Sequence, residues 1–167
     1  MQLTTPIPDD AVDALHVGDT IEISGWILCG RDAVLPKVVA MLREGTADRL
    51  GVDLRGQVVF HTAVSPAGVG PTSSNKLEIE SSIAPLSAAG VKVHLGKGAL
   101  HPETVAALAE HNAVYAVIPP VTALLEAKTS ERKVVAFPEL GMEALHLIRV
   151  ARYPAIVGAA HGRSIYE

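Results

Sequence analysis

The residues of this sequence that are best suited to anion chemistry begin with a lysine in a glycine turn. Lys97 lies in Gly96-Lys97-Gly98, directly after the apolar-alternating run of residues 91–95, which predicts a strand. Glycine permits backbone angles that are closed to other residues, and the carboxyl end of a strand is where α/β proteins place anion-binding groups. A plain turn with a solvated lysine is the competing interpretation.

A hydroxyl-rich segment, GPTSSNK at residues 70–76, precedes a helix that we expect over residues 77–89. Free backbone N–H groups at a helix start, together with Thr72, Ser73 and Lys76, suit a carboxylate or a phosphate. Simple N-capping explains the same residues equally well, because Ser, Thr and Asn are the preferred capping residues. Both interpretations stay open on these residues alone.

Arg31 and Asp32 follow the alternating run of residues 20–28, which predicts a half-buried strand. An arginine beside an aspartate forms a local ion pair more often than it binds a ligand. The seven histidines show no metal-ligand spacing. The glycine motifs of serine hydrolases, P-loops and dinucleotide-binding turns are missing, as are paired cysteines.

The elements that would hold these residues are strands that alternate with helices. Residues 91–118 predict a strand, a helix opened by Pro102 and stopped by a left-handed Asn112, and a second strand parallel to the first. The other expectations are an extended lead-in to residue 15, a helix over 34–42 ending near residue 45, strands over 57–62, 133–137, 145–150 and 155–160, a long loop over 65–75, a short helix over 121–128, and a bend at residues 153–154.

Bulk composition indicates one α/β domain that spans residues 1–167. The apolar fraction of 49% fits a folded domain, and the net charge of −4 gives no reason to expect nucleic acid or an anionic membrane as a partner. The longest apolar tract, residues 113–125, is too short to span a bilayer and is broken by two prolines. Because there is no signal-like start and only one cysteine, we expect a cytoplasmic location.

Four motifs in this order and spacing resemble the β subunit of class I, iron–sulfur-dependent fumarate hydratase and the related β subunit of L-tartrate dehydratase. They are GRD at 30–32, GPTS at 70–73, GKG at 96–98 and ELGMEA at 139–144, and the resemblance runs from about residue 17 to residue 166. It implies a swivelling β/β/α domain with mixed sheets and flanking helices. It also implies a hydro-lyase that adds water to the double bond of fumarate, or dehydrates a related dicarboxylate such as tartrate.

The resemblance further implies roles for single residues. Arg31, Lys76 and Lys97 would bind substrate carboxylates, while Thr72 and Ser73 would transfer protons. Lys76 stands where the family usually has arginine, and lysine lacks the planar two-pronged donor of a guanidinium. The family's histidine after the arginine motif is also replaced, by Val34-Leu35-Pro36. These departures keep open a second hypothesis, a non-catalytic anion-binding or scaffold subunit.

The family's [4Fe–4S] cluster is carried by a partner α subunit, through three cysteines of that subunit. The resemblance therefore implies that this chain ligates no metal itself and is active only with its α subunit. The single cysteine of this chain agrees with that division. We also expect the apolar composition to leave a contact surface, so that the isolated chain would form a homodimer.

Overall fold

The computed structural model describes residues 1–65, 68–72, 76–119 and 122–166, with the side chains of 65, 68–72, 76–79 and 122–123 outside that description. The strands of the described residues are β1 (Gln2–Thr4), β2 (Thr20–Cys29), β3 (Val58–Phe60), β4 (Thr62–Ser65), β5 (Gly68–Thr72), β6 (Val93–Gly96), β7 (Val114–Val117), β8 (Thr129–Ala136), β9 (Leu145–Ala160) and β10 (Arg163–Ser164). The α-helices are α1 (Asp9–Asp13), α2 (Leu35–Glu44), α3 (Lys76–Ala88), α4 (Pro102–Glu110) and α5 (Thr122–Ala127), and 3₁₀ segments occupy Ala47–Leu50 and Pro138–Glu143.

Five strands close into a small barrel. β2, β3, β6 and β7 are parallel neighbours in that order, and the long β9 runs antiparallel to both β7 and β2, which joins the two ends. Because side chains alternate between the two faces of a strand, every second apolar residue points into the barrel. The interior includes Ile23, Ile27, Phe60, Leu95, Val114 and Val157, each no more than 1% exposed.

Helices cover the outer faces of this barrel. α2 packs on the outward side chains Leu28 and Val59, while α4 packs on Tyr115 and Ala159. β1 extends the sheet beside β2, and β8 and β10 pair with β9. The predicted α/β fold with mixed sheets and flanking helices is confirmed.

The central unit agrees with its prediction in detail. β6 and β7 pair in parallel on either side of α4, which begins at Pro102. Asn112, just beyond the helix, adopts the left-handed conformation with φ 52°. The helix predicted over residues 77–89 is α3, which spans Lys76–Ala88.

Three local predictions are wrong, and two of them are wrong because strand pairing with a distant segment decides the structure. The extended lead-in contains β1, which pairs with β2, and the short helix α1. The loop predicted over 65–75 contains β5, which forms a hairpin with β4; residues 66–67 and 73–75 lie outside the described residues.

The third error concerns the two strands predicted around a bend at residues 153–154, which are one strand, β9. Two residues of β9, Ala151 and Arg152, lie opposite Ser24 alone, which is a β-bulge. Arg152 adopts φ 57°, and its backbone N–H donates to Ser24 Oγ at 2.9 Å. The bulge absorbs the bend, so pairing with β2 continues through Pro154.

Within the described part of the chain, no helix has both the length and the apolar character needed to cross a bilayer.

Candidate functional site

The carboxyl ends of three parallel strands lie level with one another. Cys29 at the end of β2 pairs with Phe60 of β3, and Phe60 pairs with Leu95 of β6. Arg31 and Lys97 each follow this row by two positions, so both lie at the same edge of the barrel. Two cations that are far apart in sequence are thus brought to one edge by strand register.

The backbone of Thr72 comes to the same edge through a hairpin. Thr62 follows β3 by two residues and begins β4, where it pairs with Thr72 of β5. Lys76 begins α3 just after this hairpin. Ser73 lies outside the described residues, and so do the side chains of Thr72 and Lys76, so the predicted roles of these three residues remain predictions.

Two glycines shape the turn that carries Lys97. A Cβ on Gly96 would lie 3.1 Å from Tyr115 Oη and 3.2 Å from a carbon of the same ring, which leaves no room for a side chain without movement. Gly98 adopts φ 78°, a left-handed conformation that favours glycine. The predicted glycine turn is confirmed, and it presents an exposed Lys97.

Arg31 forms an ion pair with Glu143, and not with the neighbouring Asp32. Arg31 Nε donates to Glu143 Oε1 at 2.8 Å and to Oε2 at 3.0 Å, and Nη2 donates to Oε1. Both side chains are about one-quarter exposed, at 26% and 27%. The hydrogen bonds from the guanidinium to Glu143 raise the pKa of Arg31, so the arginine stays fully charged.

Strand pairing explains why Glu143 reaches this edge. β9 runs antiparallel to β2, and Cys29 pairs with His146, so the residues just before β9 lie beyond the end of β2. Glu143 is the last residue of the 3₁₀ segment Pro138–Glu143, which precedes β9. Sequence reasoning gave Glu143 no role, although the ELGMEA motif contains it. That motif was the available signal, but its partner could not be known without the register of β9.

The donor set of this chain does not fit an iron–sulfur cluster. Its single cysteine, Cys29, is fully buried in the barrel core, and burial raises the pKa of its thiol. A cluster ligand must be a thiolate that can reach the metal, which this buried thiol is not. Among the residues that the structure describes, no group of three His, Cys, Asp or Glu side chains is arranged to hold a metal ion.

Residues 1–167 match the family described as Fumarase C-terminus. The chain belongs to this family. It is 30% identical to L(+)-tartrate dehydratase subunit beta of Escherichia coli (strain K12), over 98% of this chain and 85% of that protein. It is 31% identical to the putative fumarate hydratase class I of Geobacillus stearothermophilus, over 99% of this chain but 33% of that longer protein.

A third relative, the anaerobic fumarate hydratase class I of Escherichia coli (strain K12), is 26% identical over 84% of this chain and 27% of that protein. The predicted membership of the class I fumarate hydratase family, as a β-subunit type chain, is therefore confirmed. This member of the Fumarase C-terminus family matches a third or less of each fumarate hydratase and most of the separate tartrate dehydratase subunit. The chain is a hydro-lyase subunit by family.

Proposed function

We propose that this chain is the β subunit of a two-subunit hydro-lyase that reversibly hydrates fumarate to malate, or dehydrates a related hydroxy-diacid such as tartrate. The observation that carries this proposal is the arrival of Arg31 and Lys97 at one strand edge, in a chain whose relatives are a tartrate dehydratase subunit and fumarate hydratases.

The cations supply the substrate clamp in this proposal. A dicarboxylate has two anionic ends, and Arg31, Lys76 and Lys97 provide charged donors for them. A hydrogen bond to a charged group contributes roughly 1.5–3 kcal/mol, enough for each donor to affect substrate binding measurably. Holding both ends fixes the central carbon–carbon bond with respect to the reacting groups, which is how positioning lowers a barrier.

The hydroxyls supply proton transfer in this proposal. Hydration places a hydroxyl on one carbon of the double bond and a proton on the other, so the site needs a group that passes a proton at carbon. Thr72 is our first candidate for this group, and Ser73 is the second. The backbone pairing of Thr62 with Thr72 supports the first assignment, because it brings Thr72 to the edge that carries the cations.

The [4Fe–4S] cluster belongs to the α subunit in this proposal, since the residues of this chain do not fit it. Activity therefore requires both subunits. Exposed apolar side chains that are available for subunit contact include Leu124, Val134, Met142, Ile156, Ile165 and Tyr166. We propose that they support a homodimer of the isolated chain, which sedimentation would reveal as a mass twice that of the 17.5 kDa monomer.

The direct test is anaerobic co-expression with the cluster-bearing partner, followed by hydration and dehydration assays on fumarate, malate and the tartrate isomers. We expect activity from the complex and none from either subunit alone. Hydration by the isolated chain would contradict the proposed division of labour. A folded complex with a loaded cluster that acts on none of these diacids would contradict the proposed reaction.

A non-catalytic anion-binding subunit is the second candidate. One observation favours it: Glu143 already neutralises Arg31, which weakens the net attraction of that arginine for a carboxylate. Under this hypothesis the chain with its partner would bind a dicarboxylate, as measured by calorimetry, without converting it.

A further inference from the structure

The ion pair between Arg31 and Glu143 uses one side of the guanidinium. Nε and Nη2 both donate to the carboxylate, while no described residue forms a hydrogen bond with Nη1. A guanidinium is planar and rigid, so holding one side of it fixes the direction of the other. The Nη1 end of Arg31 is the part left to contact a ligand.

The ion pair also changes the charge of the site. Glu143 offsets the positive charge of Arg31 at contact distance, and both groups are largely withdrawn from water. Arg31 therefore offers directed N–H donors with little net charge. A ligand that contacts Arg31 also meets the negative charge of Glu143, and each further negative charge on the ligand adds to that repulsion.

The backbone two residues before Glu143 adopts a conformation that favours glycine. Gly141 adopts φ 60° and ψ −121°, a combination that is open to glycine and closed to other residues. A Cβ at Gly141 would meet no atom within 4 Å, so the requirement for glycine is conformational and not one of space.

We propose that Glu143 is a specificity-determining and positioning residue: it orients Arg31 so that Nη1 faces a substrate carboxylate, and its negative charge beside Arg31 disfavours a trianion relative to a dianion. This inference rests on the proposed function and extends it to substrate selection. Glu143 acts through Arg31 and does not itself touch the substrate.

The test compares two ligands of different charge on the complex of this chain with its cluster-bearing partner. Calorimetry gives Kd for succinate, a dicarboxylate, and for tricarballylate, a tricarboxylate. Glu143→Gln removes the negative charge at Arg31. Glu139→Gln is the matched control, because Glu139 is an exposed carboxylate of the same 3₁₀ segment. We expect Glu143→Gln to raise the affinity for tricarballylate relative to that for succinate by about tenfold. Glu139→Gln should change the same affinity ratio by less than about twofold.

A double-substitution cycle tests positioning separately. Arg31→Ala should weaken succinate binding. Glu143→Ala alone should change succinate binding, but it should have little effect when it is added to Arg31→Ala, because Glu143 acts through Arg31. Melting curves of each complex exclude loss of folding as the cause.

An unchanged ligand ratio in a folded Glu143→Gln complex would overturn the inference, as would failure of both anions to bind the wild-type complex. The ratio of the two Kd values does not depend on turnover, so the hydration assay tests the proposed reaction independently. A complex with the expected ratio shift but no hydration would support the role of Glu143 and contradict the proposed enzyme.

Discussion

His61 and His94 share a hydrogen bond beneath helix α3, with 3.2 Å between His61 Nε2 and His94 Nδ1. His94 in turn shares a hydrogen bond of 2.9 Å with Ser87 Oγ, and both rings are fully buried. The pair arises because Val59 and His94 are in register on the outer face of the barrel, and His61 follows Val59 by two residues. No described residue offers a partner to His61 Nδ1.

This pair predicts a loss of stability in mild acid. Burial lowers the pKa of His61 to about 4, and burial together with the nearby His61 lowers the pKa of His94. The unfolded chain takes up protons at these histidines near pH 6.5, whereas the folded chain does not, so stability present above pH 6.5 is lost as pH falls towards 4. For His61 alone the loss by pH 5 is about 2 kcal/mol, or roughly 4–8 °C in Tm.

The measurement is thermal unfolding between pH 8 and pH 5. His61→Gln with His94→Gln should flatten the profile, even if the variant is less stable at pH 8, because glutamine does not titrate. His16→Gln is the control, since His16 is exposed and lies outside the buried pair. Burial also lowers the pKa of His146, so a smaller slope should remain in the double variant. If the double variant kept the wild-type dependence of Tm on pH, the prediction would be wrong.

The second stability prediction concerns Glu80, whose side chain contacts the start of α4. Its side chain, 7% exposed, accepts hydrogen bonds from the backbone N–H of His101 at 2.6 Å, from His101 Nδ1 and from Thr104 Oγ1. Burial raises the pKa of Glu80, but these hydrogen bonds outweigh it and the pKa is lowered. The carboxylate thus caps α4 from a neighbouring helix.

Glu80→Gln should therefore destabilise the domain by about 2 kcal/mol, or roughly 4–8 °C in Tm. Glu103→Gln is the matched control, because Glu103 is an exposed carboxylate in the first turn of the same helix. Its effect should stay within about 0.5 kcal/mol. Equal effects of the two substitutions, measured by urea unfolding at pH 7, would show that α4 does not depend on this cap.

Lys97→Ala tests the substrate clamp. Loss of a charged hydrogen bond should lower kcat/KM of the complex by about ten- to hundredfold. Lys37→Ala, at an exposed position on α2, provides the control and should leave kcat/KM within about twofold. If a normally folded Lys97→Ala complex keeps full activity, the glycines around Lys97 serve only as a turn.

Thr72→Val tests proton transfer by removing the hydroxyl while keeping the shape of the side chain. If the hydroxyl moves a proton in the rate-determining step, kcat should fall by about a hundredfold or more with a small change in KM. Thr72→Ser keeps a hydroxyl and should retain most of the activity. A rise in KM with unchanged kcat would instead assign Thr72 to substrate binding.

Lys76→Arg introduces the arginine that the resemblance to the family implies at this position. An arginine offers a planar two-pronged donor in place of a point charge, so this substitution should preserve hydration or alter the preference among diacids. Steady-state kinetics on fumarate, malate and the tartrate isomers measures the preference. Abolished activity in a folded complex would show that the site is built specifically around lysine.

The local elements were largely predictable from the sequence because their causes are local. The alternation in residues 20–28 marks β2, and the glycines beside Lys97 mark its turn. Pro102 and Asn112 mark the two limits of the central helical unit. The order of the four motifs was enough to predict the family, and the match over residues 1–167 confirmed it.

The tertiary structure decided which of these residues meet. The bulge at Arg152 keeps β9 continuous, although Pro154 alone favours a break, because pairing with β2 on both sides outweighs the local preference. The same pairing delivers Glu143 to Arg31, a partner 112 positions away, in place of the adjacent Asp32. His61 and His94 likewise meet only through the register of β3 and β6. Long-range strand pairing sets all three relationships, and no local sequence pattern encodes register between distant strands.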